Sequence, residues 1–166
     1  MKLLATATIV FVSLQSPSQL VKVSDYAAQA ASFAKSAGLS PIASTPAASE
    51  IRVWRPETLI GPTVGWVITS NKIVVYSGDT SLRPSTIYRT RKARVILQAF
   101  NKLSHHNGQW LSCSRVKDGW GLVVEGSDSS SPFAFSSSTP NLCTDGGAHE
   151  VWLAYNLLLD ATGRAP

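Results

Sequence analysis

Cys113 and Cys143 are the only two cysteines in the chain, and their thirty-residue spacing constrains the fold more than any other feature. In an exported chain an even count pairs, because oxidising compartments drive disulfide formation and nothing is left over. A bridge of this span removes chain entropy from the unfolded state, contributing roughly 3 to 4 kcal/mol against the roughly 5 to 15 kcal/mol that hold a small domain together. The competing reading is a nucleophilic cysteine activated by a histidine. It needs a free, thiolate-prone sulfur, which pairing removes.

The residues around the pair predict what the bridge joins. Gln109 to Val116 alternates Trp110, Ser112, Ser114 and Val116 against Leu111, Cys113 and Arg115, the period of a strand. Lys117-Asp118-Gly119 supplies a turn, and Trp120 to Glu125 returns as a second strand, so a hairpin is expected. Phe133 to Ser137 reads as a third, edge strand. Thr144 or Asp145 can then cap a closing helix whose stripe is Val151, Ala154, Tyr155 and Leu158.

Export is itself predicted from the N-terminus. A single Lys2 precedes an apolar run from Leu3 to Leu14 and a small, polar segment from Gln15 to Gln19. Twelve helical residues span about 18 Å, short of a hydrocarbon core of about 30 Å, so residues 1–18 read as a signal peptide. A buried N-terminal strand or an uncleaved anchor are the alternatives. Cleavage would place the chain in the periplasm or outside the cell and, by removing Lys2, lower its net charge from +5 to +4. No later segment is long and apolar enough to span a membrane, so the processed chain is expected not to be transmembrane.

Residues 19–49 are expected to form an N-terminal helix and a Pro/Ala/Ser linker. Ser24 is placed as its cap, Gly38 as its stop, and Tyr26, Ala30, Phe33 and Ala37 along its stripe. Small residues bury little area, so this helix is expected to pack loosely. Residues 50–166 are expected to form a single domain. Glu50 to Arg55 is a strand; Gly65 to Thr69 and Lys72 to Tyr76 form a tight hairpin about Ser70-Asn71. Ser77 to Pro84 reads as a loop. Ser85 or Thr86 then caps a long helix with the stripe Ala93, Ile96, Leu97, Phe100 and Leu103. Strands arriving in hairpins argue for an α+β fold: an antiparallel sheet of about six strands packed on helices in two layers, with an N-terminal helix.

Function is less legible. Charged residues make up 15% of the chain and 44% is hydrophobic, so the surface is rich in hydroxyls rather than ion pairs. The long helix carries Arg91, Arg94, Gln98 and Lys102 opposite its apolar stripe, with Arg83, Arg89 and Lys92 close by. That face is either a solvated helix surface or a docking face for an anionic partner such as envelope glycan or lipid head groups. Nucleic acid is the poorest fit, since no recognition motif is present. Five tryptophans exceed what the core needs, and Trp54, opposite Ile51 and Val53, is the leading candidate for an exposed aromatic platform unless the N-terminal helix or linker covers it.

His105 and His106 are adjacent, and adjacent side chains on an α-helix diverge by about 100°, poor geometry for one metal. No metal ligand set, cofactor or catalytic residue is assigned. G-x-S-x-G, H-E-x-x-H, the P-loop and C-x-x-C are all missing from the sequence. The sequence therefore predicts an exported, non-enzymatic binding or envelope-associated protein, possessing an anion-docking face at Arg91, Arg94 and Lys102 or acting on a protein partner as an inhibitor or immunity factor would. The alternative is a small exported hydrolase whose acid–base site joins His149 to Glu125, Asp128 or Asp145.

Overall fold

The computed structural model describes residues 24–56, 61–113, 120–127 and 131–163. The signal segment, the turn Lys117-Asp118-Gly119 and Asp128 lie outside the described residues. Helix α1 (Ser24–Ser36) is followed by strands β1 (Glu50–Arg55), β2 (Thr63–Thr69), β3 (Lys72–Gly78) and β4 (Arg83–Arg89). Helix α2 (Lys92–Asn101) continues into a 3-10 turn over Lys102–His106; then come β5 (Trp110–Leu111), β6 (Gly121–Ser127), β7 (Pro132–Ser138) and helix α3 (Gly146–Thr162). The fold is α+β, and its seven strands form one open sheet in the order β4-β3-β2-β1-β6-β7-β5.

The expected architecture holds, with three differences. The residues read as loop and helix cap form β4 instead, pairing Ile87 with Val74 and Tyr88 with Ile73. Ile87 and Tyr88 favour extended backbone, and the open edge of β3 offers them a ladder that a helix starting at Ser85 would forgo. Helix α2 therefore begins only at Lys92. Of the strand expected before the turn, Trp110–Leu111 form a two-residue β5 running parallel to β7, with Trp110 opposite Ser136, and Ser114 to Val116 lie outside the described residues. Strand β6 pairs instead with β1 and β7, each antiparallel, so β1 and β6 sit at the centre of the sheet. Thirdly, α1 is not loose: Ala30 and Ala34 are buried against the sheet.

Strand alternation sorts the core into two faces. Ile51, Val53, Trp66, Ile68, Ile73, Leu122, Val124 and Phe135 point to one face, where Ile96, Leu97 and Phe100 of α2 and Val151, Tyr155 and Leu158 of α3 cover them. The opposite face carries Arg52, Trp54, Val123 and Glu125, with α1 laid over Trp54 and Val123. Gly65 faces Trp54 across the β1–β2 ladder, and a Cβ there would overlap the indole ring. The glycine is what lets so large a ring lie flat on the sheet.

Cys113 and Cys143 form the expected disulfide, with Cα atoms 5.5 Å apart. It joins the segment after β5 to the turn before α3. Among the described residues no helix is long and apolar enough to cross a membrane.

Candidate functional site: a basic hollow at the start of helix α2

The β2–β3 turn and the end of β4 meet where α2 begins. Thr90 N–H donates to the Asn71 carbonyl at 3.3 Å, tying the two segments together. The Thr90 side chain accepts from Lys92 N–H at 3.2 Å and its carbonyl accepts from Ala93 N–H at 3.2 Å, so Thr90 starts the helix as Ser85 or Thr86 was expected to. An open hollow of about 550 Å³ results, lined by Ser70, Asn71, Arg89, Thr90, Arg91 and Arg94.

Its electrostatics are one-sided. Arg89, Arg91 and Arg94 are exposed, and among the described residues no carboxylate comes within ion-pair distance of any of them. Arg89 also lies opposite Lys72 across the β3–β4 ladder, a like-charge pairing that disfavours the sheet edge. The first turn of α2 holds no acidic residue, although the helix dipole favours negative charge there. Several cations therefore gather where the backbone is already electropositive. An anion seated in the hollow would relieve both conflicts, with guanidinium forks suited to phosphate or carboxylate oxygens.

The predicted binding residues divide. Arg91 and Arg94 line the hollow together, but Lys102 is eleven residues beyond Arg91, about 16 Å along the helix axis, and does not line it. Arg83 opens β4 while Arg89 closes it, so Arg83 is distant as well. Ser70 and Asn71 were legible as a turn but not as partners of Arg91, since nothing local joins residues twenty positions apart.

Trp54 is no platform. It is fully buried, its ring 5.9 Å from that of Phe33 in α1, and its indole N–H donates to Glu125 Oε1 at 3.3 Å. The N-terminal helix covers it, leaving no ring surface for a ligand. Trp66 is buried too, edge-on to Tyr155. Trp120 and Trp152 are half-buried in contact with Tyr155, and only Trp110, 53% exposed, presents most of its ring to solvent.

Among the described residues His149 is hydrogen-bonded only to backbone. Its Nδ1–H donates to the Cys143 carbonyl at 2.9 Å, and among the described residues neither a carboxylate nor a hydroxyl is within hydrogen-bond distance. Glu125 belongs to a separate buried network. Arg52 Nε is 2.6 Å from Glu50 Oε1, and its Nη1 is 3.3 Å from Glu125 Oε1. Burial pushes the Glu125 carboxyl above its ordinary value, against the opposing pull of Arg52 and the Trp54 hydrogen bond. No protein-family model matches the chain, and no curated protein is similar to it.

Proposed function

We propose that this is an exported, non-enzymatic binding protein that holds an anionic group of an envelope component in the hollow at the start of α2. The observation that carries this reading is the convergence of Arg89, Arg91 and Arg94 on one open cavity at a helix N-terminus, with no carboxylate among the described residues to neutralise them. The signal-like N-terminus and the disulfide support a compartment in which glycans and lipid head groups supply phosphates and carboxylates. Electrostatic attraction of this kind acts mainly on encounter and is screened over about 10 Å at 0.1 M salt. Binding should therefore weaken steeply as salt is raised.

The direct test is retention on vesicles of anionic phospholipid and on a sulfated glycan matrix. Arg89→Gln, Arg91→Gln and Arg94→Gln combined should lower retention at least tenfold and flatten its salt dependence. Lys102→Gln, outside the hollow, should change it far less. Equal retention of the triple variant and the parent chain would remove the proposal. Intact-mass measurement of protein from its native compartment checks export separately, the expected product lacking residues 1–18 and carrying no alkylatable thiol.

A further inference from the structure

We propose a binding site for a zinc-class divalent cation, formed by His105, His106 and Glu150 at the other end of α2. The ligand atoms offered by these three side chains all lie within 4.8 Å of one another. His106 Nε2 is 3.4 Å and His105 Nε2 is 4.0 Å from Glu150 Oε2. Ligands about 2.0 to 2.1 Å from a tetrahedral zinc are separated by about 3.4 Å, so one pair already has that spacing. The other two pairs, separated by no more than 4.8 Å, both involve His105 and close by a swing of that side chain, which is 60% exposed.

His105 and His106 close the 3-10 turn Lys102–His106, and although successive residues of such a turn diverge by about 120°, their rings approach to 3.9 Å. Their protons are assigned by their neighbours. His105 Nδ1 is 2.8 Å from the Lys102 carbonyl and His106 Nδ1 is 3.0 Å from Gln109 Oε1. Both oxygens can only accept, so each Nδ1 carries a proton, and in the singly protonated form of each ring the Nε2 lone pair faces the carboxylate. In that form three lone-pair atoms converge, an arrangement a cation satisfies. An Nδ1–H held by an oxygen acceptor is also the usual support of a metal-bound histidine.

The surroundings fit this use. Gly147, in the first turn of α3, stands where a Cβ would come 2.7 Å from His106 Cε1 and 2.9 Å from His106 Nε2. Its missing side chain is the space the ring occupies. Two imidazoles and one carboxylate suit zinc, cobalt, nickel or copper rather than calcium or magnesium. The exposed side of Glu150 leaves a fourth position to water. A bound ion would link the 3-10 turn to α3, a second tie beside the disulfide, which joins Cys113 to the turn before that helix.

Zinc and cobalt binding to the chelator-treated, disulfide-intact chain tests the site, by calorimetry and by the visible spectrum of the cobalt form. One equivalent should bind, cobalt should show the absorption of a low-coordinate ion, and the melting temperature should rise with metal. Glu150→Gln and His106→Ala should each weaken binding at least tenfold. Gln109→Leu, which removes only the support of His106, should weaken it by about 10- to 100-fold. His149→Ala should leave it unchanged. His105→Gln combined with Glu150→Gln alters exposed side chains and so separates metal loss from unfolding. If the parent chain takes up no more zinc than this double variant, the three groups form a protonated ion pair instead and the proposal is wrong.

Discussion

The two faces of the sheet are buried by different means. Beneath α2 and α3 the residues are aliphatic and aromatic, and close-packed area holds them there. Beneath α1 the centre of the sheet holds an arginine and a glutamate, each almost wholly removed from water. Burying those charges beside the small residues Ala30 and Ala34, which pack on Trp54 and Val123, is tolerable because Arg52, Glu50, Glu125 and Trp54 satisfy one another. The same strand, β1, serves both faces. Its residues Glu50, Arg52 and Trp54 build a polar, hydrogen-bonded unit, and Ile51 and Val53 an apolar layer.

The largest effect that could break this contrast comes from Arg52. Replacing it with Ala leaves Glu125 buried without its cation and should cost about 3 to 5 kcal/mol in denaturant unfolding. Ile51→Val, one position away on the other face, should cost only about 0.5 to 1.5 kcal/mol. Changing Arg52 and Glu125 together to Met should cost less than Arg52→Ala alone, since no unpaired charge remains. Additive losses would mean that the network is not a unit.

Packing on the α1 face should be unforgiving despite the small residues there. Ala34 is 2% exposed, and Ala34→Leu should destabilise by about 1 to 3 kcal/mol through overpacking against Trp54 and its neighbours. A neutral outcome would show that α1 rests on the sheet without close contact.

These two faces also explain what sequence could and could not reveal. The alternation of Ile51 and Val53 with Arg52 and Trp54 announces a strand, and the apolar stripe of Ala93, Ile96, Leu97 and Phe100 announces a helix. Both are local patterns of period 2 and 3.6. Alternation does not say that the polar side faces water: Arg52 finds Glu125 seventy-three residues away, and Trp54 is covered by Phe33. Strand β4 escaped because it is an edge strand exposed along nearly all of its length, so burial leaves no alternating imprint. Parallel pairing of β5 with β7 is non-local in the same way. Arg91 and Arg94 could be singled out from one helix face, whereas Ser70, Asn71 and Arg89 join them only through the fold. The cluster at His105 and His106 is hidden because its third member, Glu150, lies forty-four residues on from His106.

The subtlest distinction between the faces should be a dependence on pH that only one of them carries. The Glu125 carboxyl titrates above its ordinary value in the folded chain, so between that value and the raised one the folded state binds more protons than the unfolded state. Its contribution to stability is therefore fully present below the ordinary carboxylate range and is lost as pH rises through the raised folded value. Glu125→Gln keeps the shape but cannot titrate. The stability of the parent chain relative to this variant should fall as pH climbs from the ordinary glutamate value of 4.5 upward. A glutamine-for-glutamate control at exposed Glu150, measured in chelator so that no metal contributes, corrects for the loss of one surface carboxylate. Parallel profiles for the parent and Glu125→Gln would show that Arg52 and the Trp54 N–H fully offset the desolvation of the carboxylate, making the buried ionic face as indifferent to protons as the apolar one.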